Sequence, residues 1–132
     1  MRVLDGDTLV VLTEGNEQVR VRLASIDAPE KGQPFGERAR QALAAAVFSR
    51  FVRVRVETAD RYGRTLGTVL VDGQNVNAQL VADGYAWVYR AYSRDPELLA
   101  LEAQARQSRK GLWADANPVP PWEWRRKPKV TR

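Results

Sequence analysis

Apolar and polar positions alternate with a period of two in several stretches of the chain. VRVRLASI (19–26) and FVRVRVE (51–57) each put their valines on one side and arginines on the other, the signature of half-buried β-strands. Leu9, Val10 and Val11 suit a further strand that follows an Asp-Gly-Asp turn. The turn cluster TEGNEQ joins it to 19–26 as a β-hairpin. TLGTVLV (65–71) predicts another strand, set off from 51–57 by the turn TADRYGR. The period changes to that of a helix in ERARQALAAAVF (37–48), where Ala39, Leu43, Ala46 and Val47 share a face. A short helix is predicted for VNAQLVADG, with Asn75 or Asn77 as its N-cap and Gly84 closing it. RDPELLALEAQARQSRKG predicts a third helix, with Asp95 as cap, Pro96 in the first turn and Gly111 at the end. YAWVYRAY (85–92) reads as extended. The proline- and tryptophan-rich stretch past Trp113 reads as an extended surface segment or loose end.

Alternating strands with helices inserted between them predict a small α+β domain, a closed or partly closed barrel. At 132 residues the chain fits one domain, expected over 1–121, followed by a tail over 122–132. No apolar run approaches the roughly 20 residues of a membrane helix, so no membrane partner is expected. Strand-like sequence directly after Met1 leads us to expect no signal peptide within this chain.

Charge changes this picture only locally. The net charge is +5 and the isoelectric point about 10.0, which favours an anionic partner such as nucleic acid. From Trp122 onward, however, Arg125, Arg126, Lys127, Lys129 and Arg132 face only Glu123, so most of that excess belongs to the tail. Arginine far outnumbers lysine, which suits bidentate phosphate contacts.

Two absences narrow the chemistry. Without cysteine there is no disulfide or thiolate; without histidine there is no His-based triad and no zinc site of the usual Cys/His kind. Acid–base or metal chemistry must then use carboxylates, and a metal held by carboxylates and carbonyls is a hard one, calcium or magnesium before zinc. The stretch RLASIDAPE (22–30) gathers Arg22, Asp27 and Glu30 at a strand exit. A hairpin brings Asp7 onto the neighbouring strand, where it can share a cation with Asp27. Glu30 projects toward the same corner from a proline-stiffened turn, placed to take a proton from water. Each feature has a plainer reading: DGDT as a turn, Glu30 as a solvated loop carboxylate, Arg22 and Arg64 as surface charges.

LDGDT, RLASIDAPE, GERARQAL, DRYGRTLGTVLVDGQNVNAQLVADGYAWV and EAQARQSRKGLW together resemble, in this order and from residue 3 to about 113, the staphylococcal nuclease (thermonuclease-like) family. The PPWEWRR ending is similar to that of bacterial members. The resemblance implies an OB-fold, a five-stranded Greek-key β-barrel with three α-helices. It implies a calcium-dependent endonuclease acting on DNA and RNA and leaving 3′-phosphate ends. It assigns calcium to Asp7, Asp27 and the backbone carbonyl of Ala28, a supporting role to Asp5, and catalysis to Arg22, Glu30 and Arg64. Tyr92 matches a substrate-side tyrosine, Arg90 stands where a second one is found, and Tyr62 matches a tyrosine lining the site. The loop KGQP is shorter than in the best-known secreted member, so substrate contacts from it are not carried over. A monomer, exported to the periplasm or medium as many relatives are, is the expectation. The alternative is a non-catalytic OB-fold module that binds nucleic acid or protein; retention of Asp7, Asp27, Glu30, Arg22 and Arg64 argues against it.

Overall fold

The computed structural model describes residues 1–59 and 63–126. Five strands carry the sheet: β1 (Arg2–Asp5), β2 (Thr8–Leu12), β3 (Gln18–Leu23), β5 (Arg53–Ala59) and β6 (Arg64–Val71). Two-residue strands β4 (Ile26–Asp27), β7 (Gln74–Asn75) and β8 (Trp87–Val88) complete the set. The path runs β1-β2-β3-β6-β5, with β7 on β6, while β4 pairs with β8 as a separate ribbon. β3 and β6 are parallel; every other pairing is antiparallel. β1 and β5 lie at the two ends of the path, so the sheet is not closed into a barrel among the described residues.

Among the described residues the helices number four, where three were expected. They are α1 (Gly36–Val47), α2 (Val76–Ala82), α3 (Pro96–Gln107) and α4 (Pro121–Arg126), with a 3₁₀ turn over Gly111–Ala114. α1 buries Ala39, Leu43 and Val47 as its periodicity predicts. Its N-cap is Phe35, with a positive φ of 75° and no side-chain cap, a start that capping chemistry does not reveal. Asn75 caps α2 by accepting the Ala78 N–H. Asn77, the other cap candidate, is a buried tie instead: its amide accepts from Val69 N and donates to the Ala24 and Gly67 carbonyls. Asp95 and Pro96 open α3 as expected.

The inward faces of β2, β3 and β6 (Leu9, Val21, Leu23, Val69, Val71) pack against α1 and α2 through Leu43, Val47, Leu80 and Val81. A second cluster forms around Trp87, Ala105, Leu112 and Trp113, with Trp122 against it. This second cluster seats the region past Trp113, which folds back as the 3₁₀ turn and α4. The expected boundary at 121/122 thus falls within the first turn of α4. Only Trp87 and Val88 of the stretch 85–92 are strand; Tyr89 to Tyr92 turn back on themselves, with Tyr92 N–H donating to the Tyr89 carbonyl at 2.9 Å. No helix of the described residues is long and apolar enough to cross a membrane.

Candidate active site

The site lies where β3 ends and the chain turns through β4 into the loop before α1. Asp7 follows the tight turn between β1 and β2, and Asp27 ends β4. Both are buried, Asp27 completely. The turn needs Gly6 for space, since a Cβ there would come within 2.7 Å of the Ala28 and Ala39 side chains. Asp7 Oδ2 accepts the Ala28 N–H at 2.8 Å, which locks the first turn to the strand exit 21 residues later. Leu23 N–H donates to the Asp7 carbonyl as well.

Arg22 stands between the two aspartates. Its Nη2 lies 3.5 Å from Asp7 Oδ2 and 3.4 Å from Asp27 Oδ1, while Nη1 donates to the Leu23 and Ile26 carbonyls at 2.5 and 2.9 Å. The guanidinium is therefore oriented by backbone as well as by charge. Asp5 accepts the Asp7 N–H at 3.1 Å. Burial, and then the neighbouring Asp7 carboxylate, push its carboxyl up to about 6.

Glu30 is held differently. Its backbone N–H donates to Gln33 Oε1 at 2.9 Å, and Gln33 Nε2 donates to the Val119 carbonyl at 2.7 Å. Gln33 itself is buried and ties the Glu30 loop to the chain leading into α4. Gly36 supports the same loop by close approach: any Cβ there would run into the Glu30 carbonyl. The residue that completes the corner is Arg125 of α4. Its Nη2 donates to Asp27 Oδ2 at 2.7 Å and to the Tyr89 hydroxyl at 3.2 Å; its Nη1 donates to Asp27 Oδ1 at 3.1 Å and to Glu30 Oε1. These carboxylate bonds hold the Arg125 guanidinium pKa well above its ordinary value.

Asp7, Arg22, Asp27 and Glu30 are thus brought together as expected. Arg64 opens β6 opposite Arg20 in the parallel pairing with β3, with Leu66 opposite Arg22. Register partners on neighbouring strands share a face, so Arg64 lies on the same outer face as Arg22, one strand over. Tyr92 is exposed and packs edge-on against Tyr89, with ring centroids 4.9 Å apart, at the rim of the corner. Arg90 points away into an ion pair with buried Glu102, its Nη1 also donating to the Val88 carbonyl. Tyr62 lies outside the described residues, as do the tail positions from 127 onward.

Sequence reasoning passed over Gln33, Tyr89 and Arg125. Arg125 was visible only as one charge of a basic tail, 98 residues from Asp27. A proline- and tryptophan-rich stretch immediately before it was the available signal, because such residues seek a surface to pack on.

The side chains gathered here offer carboxylate oxygens, and a hard cation would suit such donors. Among the described residues, however, no three or more acidic, cysteine or histidine side chains are grouped so that they could hold a metal ion. The Arg125 guanidinium already sits against Asp27 and Glu30, so these acids lie where a positive charge is stabilised.

Comparison with known proteins agrees. Residues 20–115 match the family model described as staphylococcal nuclease homologue. The chain is 55% identical to "Protein ParB" of Escherichia coli, over 96% of this chain and 77% of that one. It is 48% identical to a "Micrococcal nuclease" of Shigella flexneri, over 96% and 78%. An "Uncharacterized endonuclease" of Haemophilus influenzae is 45% identical, over 98% and 73%. With such a match across most of its length, and with an acidic corner built as described, the chain belongs to the staphylococcal nuclease homologue family.

Proposed function

We propose that this protein is a calcium-dependent nuclease that hydrolyses phosphodiester bonds of DNA and RNA, acting as a monomer on an OB-fold scaffold. The observation that carries the reading is the convergence of buried Asp7 and Asp27 on one guanidinium, with Glu30 joined to Asp27 through a second. Family membership and relatives named as nucleases support it. All of these groups come from one chain, which supports a site complete in the monomer.

Asp7, Asp27 and the Ala28 carbonyl would hold the calcium. Bound there, it would neutralise and polarise a phosphate oxygen as a Lewis acid. Glu30 accepts a proton from the water that attacks phosphorus. Arg22, fixed by two carbonyls, and Arg64, on the same face, donate to nonbridging oxygens as negative charge builds on them. Arginine suits this work because it is planar and keeps its proton. The phosphorus–5′-oxygen bond breaks and the leaving 5′ oxygen takes a proton from solvent, giving a 3′-phosphate and a 5′-hydroxyl, while Glu30 returns its proton to water. Tyr92, at the rim, is positioned to meet substrate beyond the scissile bond.

Plasmid nicking with calcium, and with EGTA in its place, tests the reading. Cleavage is expected with calcium and none with EGTA. Undiminished cleavage in EGTA would remove calcium. Absence of cleavage under all conditions, with DNA binding retained, would favour the non-catalytic module instead.

A further inference from the structure

The third guanidinium of the corner has no part in the mechanism above, yet it makes the densest set of contacts there. Arg125 forks onto both oxygens of Asp27 and also reaches Glu30. Asp27 is fully buried, and the partly exposed Arg125 side chain bonds both of its carboxylate oxygens. The fork takes up lone pairs of Asp27 that a divalent cation would use, and adds a second positive charge beside the one Arg22 already brings there. The Arg125 guanidinium and a metal therefore compete for Asp27.

The backbone behind Arg125 is fixed without it. Pro121 is buried, and Trp122 stacks on Tyr89 with ring centroids 5.4 Å apart and planes within 5°. Trp122 also packs edge-on against Trp87 at 5.6 Å, and Gln33 clamps the Val119 carbonyl. The arginine side chain is about one-third exposed, so it can swing out on its own stem while α4 stays docked.

Resting on the calcium reading of this site, we propose that Arg125 is a built-in counter-ion of the Asp27–Glu30 pair, which keeps the corner assembled without metal and must be displaced for a divalent cation to bind. Loading of the site is then an exchange of one cation for another. The affinity for calcium is set by a residue of the C-terminal helix as well as by the metal ligands.

Calorimetric titration with calcium chloride at fixed ionic strength tests this on the full chain and on Arg125→Ala, Arg125→Lys and Asp27→Asn. Arg125→Ala is expected to bind calcium up to about fivefold more tightly than the wild type, the gain from removing a partly exposed competing ion pair. Arg125→Lys, which keeps the charge without the fork, should fall between them, and Asp27→Asn should lose binding. Equal or weaker binding by Arg125→Ala, with Asp27→Asn still silent, overturns the inference and leaves the calcium site intact. Calcium binding by Asp27→Asn as tight as by the wild type overturns the metal reading itself. A second measurement needs no variant: the Arg125 side-chain N–H resonances of the wild type should lose their hydrogen-bonded shift as calcium saturates the protein. Resonances that do not move at saturation count against displacement.

Discussion

Two clusters in this molecule pair carboxylates with two arginines, and they are built for opposite ends. At the first, Asp7, Asp27 and Glu30 share Arg22 and Arg125. At the second, the single carboxylate of Glu102 meets both Arg90 and Arg106, and Glu102 also accepts the Val88 N–H. Glu102 is almost wholly buried on α3, and Arg106 lies over the Trp87 and Trp113 rings, at 5.1 and 4.2 Å from their centroids. There the cations outnumber the acid and every carboxylate bond is spoken for by the protein. In the Asp7–Asp27–Glu30 corner the acids outnumber the cations paired to them, and one of those cations comes from a helix that reaches in from the end of the described chain. Burial and arginine pairing are therefore poor guides to function by themselves. The balance of charge, and whether a partner can leave, is what would separate a structural ion cluster from the cation and phosphate site proposed for this corner.

Substitutions should separate the clusters by what they damage. The largest effect expected is Glu30→Gln, which should lower cleavage by about 10² to 10⁴ while leaving the circular dichroism spectrum unchanged. An activity near that of the wild type would return Glu30 to the solvated loop carboxylate it resembles in sequence. Glu102→Ala should do the reverse. It strands the Val88 N–H and removes the partner of two arginines, at a cost of about 1–3 kcal/mol read from the urea midpoint, with little change in turnover of the folded fraction. Gln33→Ala lies between, because it joins the Glu30 loop to the Val119 carbonyl. About 1–2 kcal/mol of stability should go, together with part of the activity, and loss of stability alone would mean that the Glu30 loop keeps its place without the tie. The smallest effect is expected at the exposed Arg50–Asp72 pair, 3.0 Å apart but open to water. Arg50→Ala should move the midpoint by less than about 0.5 kcal/mol, and a larger loss would show that surface pairs in this fold count for more than their exposure suggests.

β2, β3, β5 and β6 and the helices α1, α2 and α3 were legible to within a few residues because each has a face to bury, and burial leaves its period in the sequence; the stretch 19–26 is not one strand, since β3 ends at Leu23 and Ile26 opens β4. Asp27, Glu30 and Arg22 were legible because they crowd one short stretch, and Asp7 because a hairpin is a local event. Four features were not legible. The start of α1 at Phe35 depends on a positive φ that no cap residue announces. Asn77 resembles a cap until its three backbone partners, drawn from β6 and the end of β3, are seen. Glu102 looks like one more solvated helix charge. Arg125 looks like one more charge in a basic tail.

What the sequence determined by itself was most of the elements, the family resemblance, and, through the lack of histidine and cysteine, which nucleophile and metal chemistries are closed to the chain. What only the tertiary structure decided was which charges meet. Local patterning carries information over a few residues, whereas Arg125 reaches Asp27 across 98 and Gln33 reaches Val119 across 86. Such contacts exist because aromatic packing of Trp122 on Tyr89 and Trp87 brings the chain's last described helix back to its first acidic turn. That packing is non-directional along the sequence, so its partners become visible only once the chain has folded.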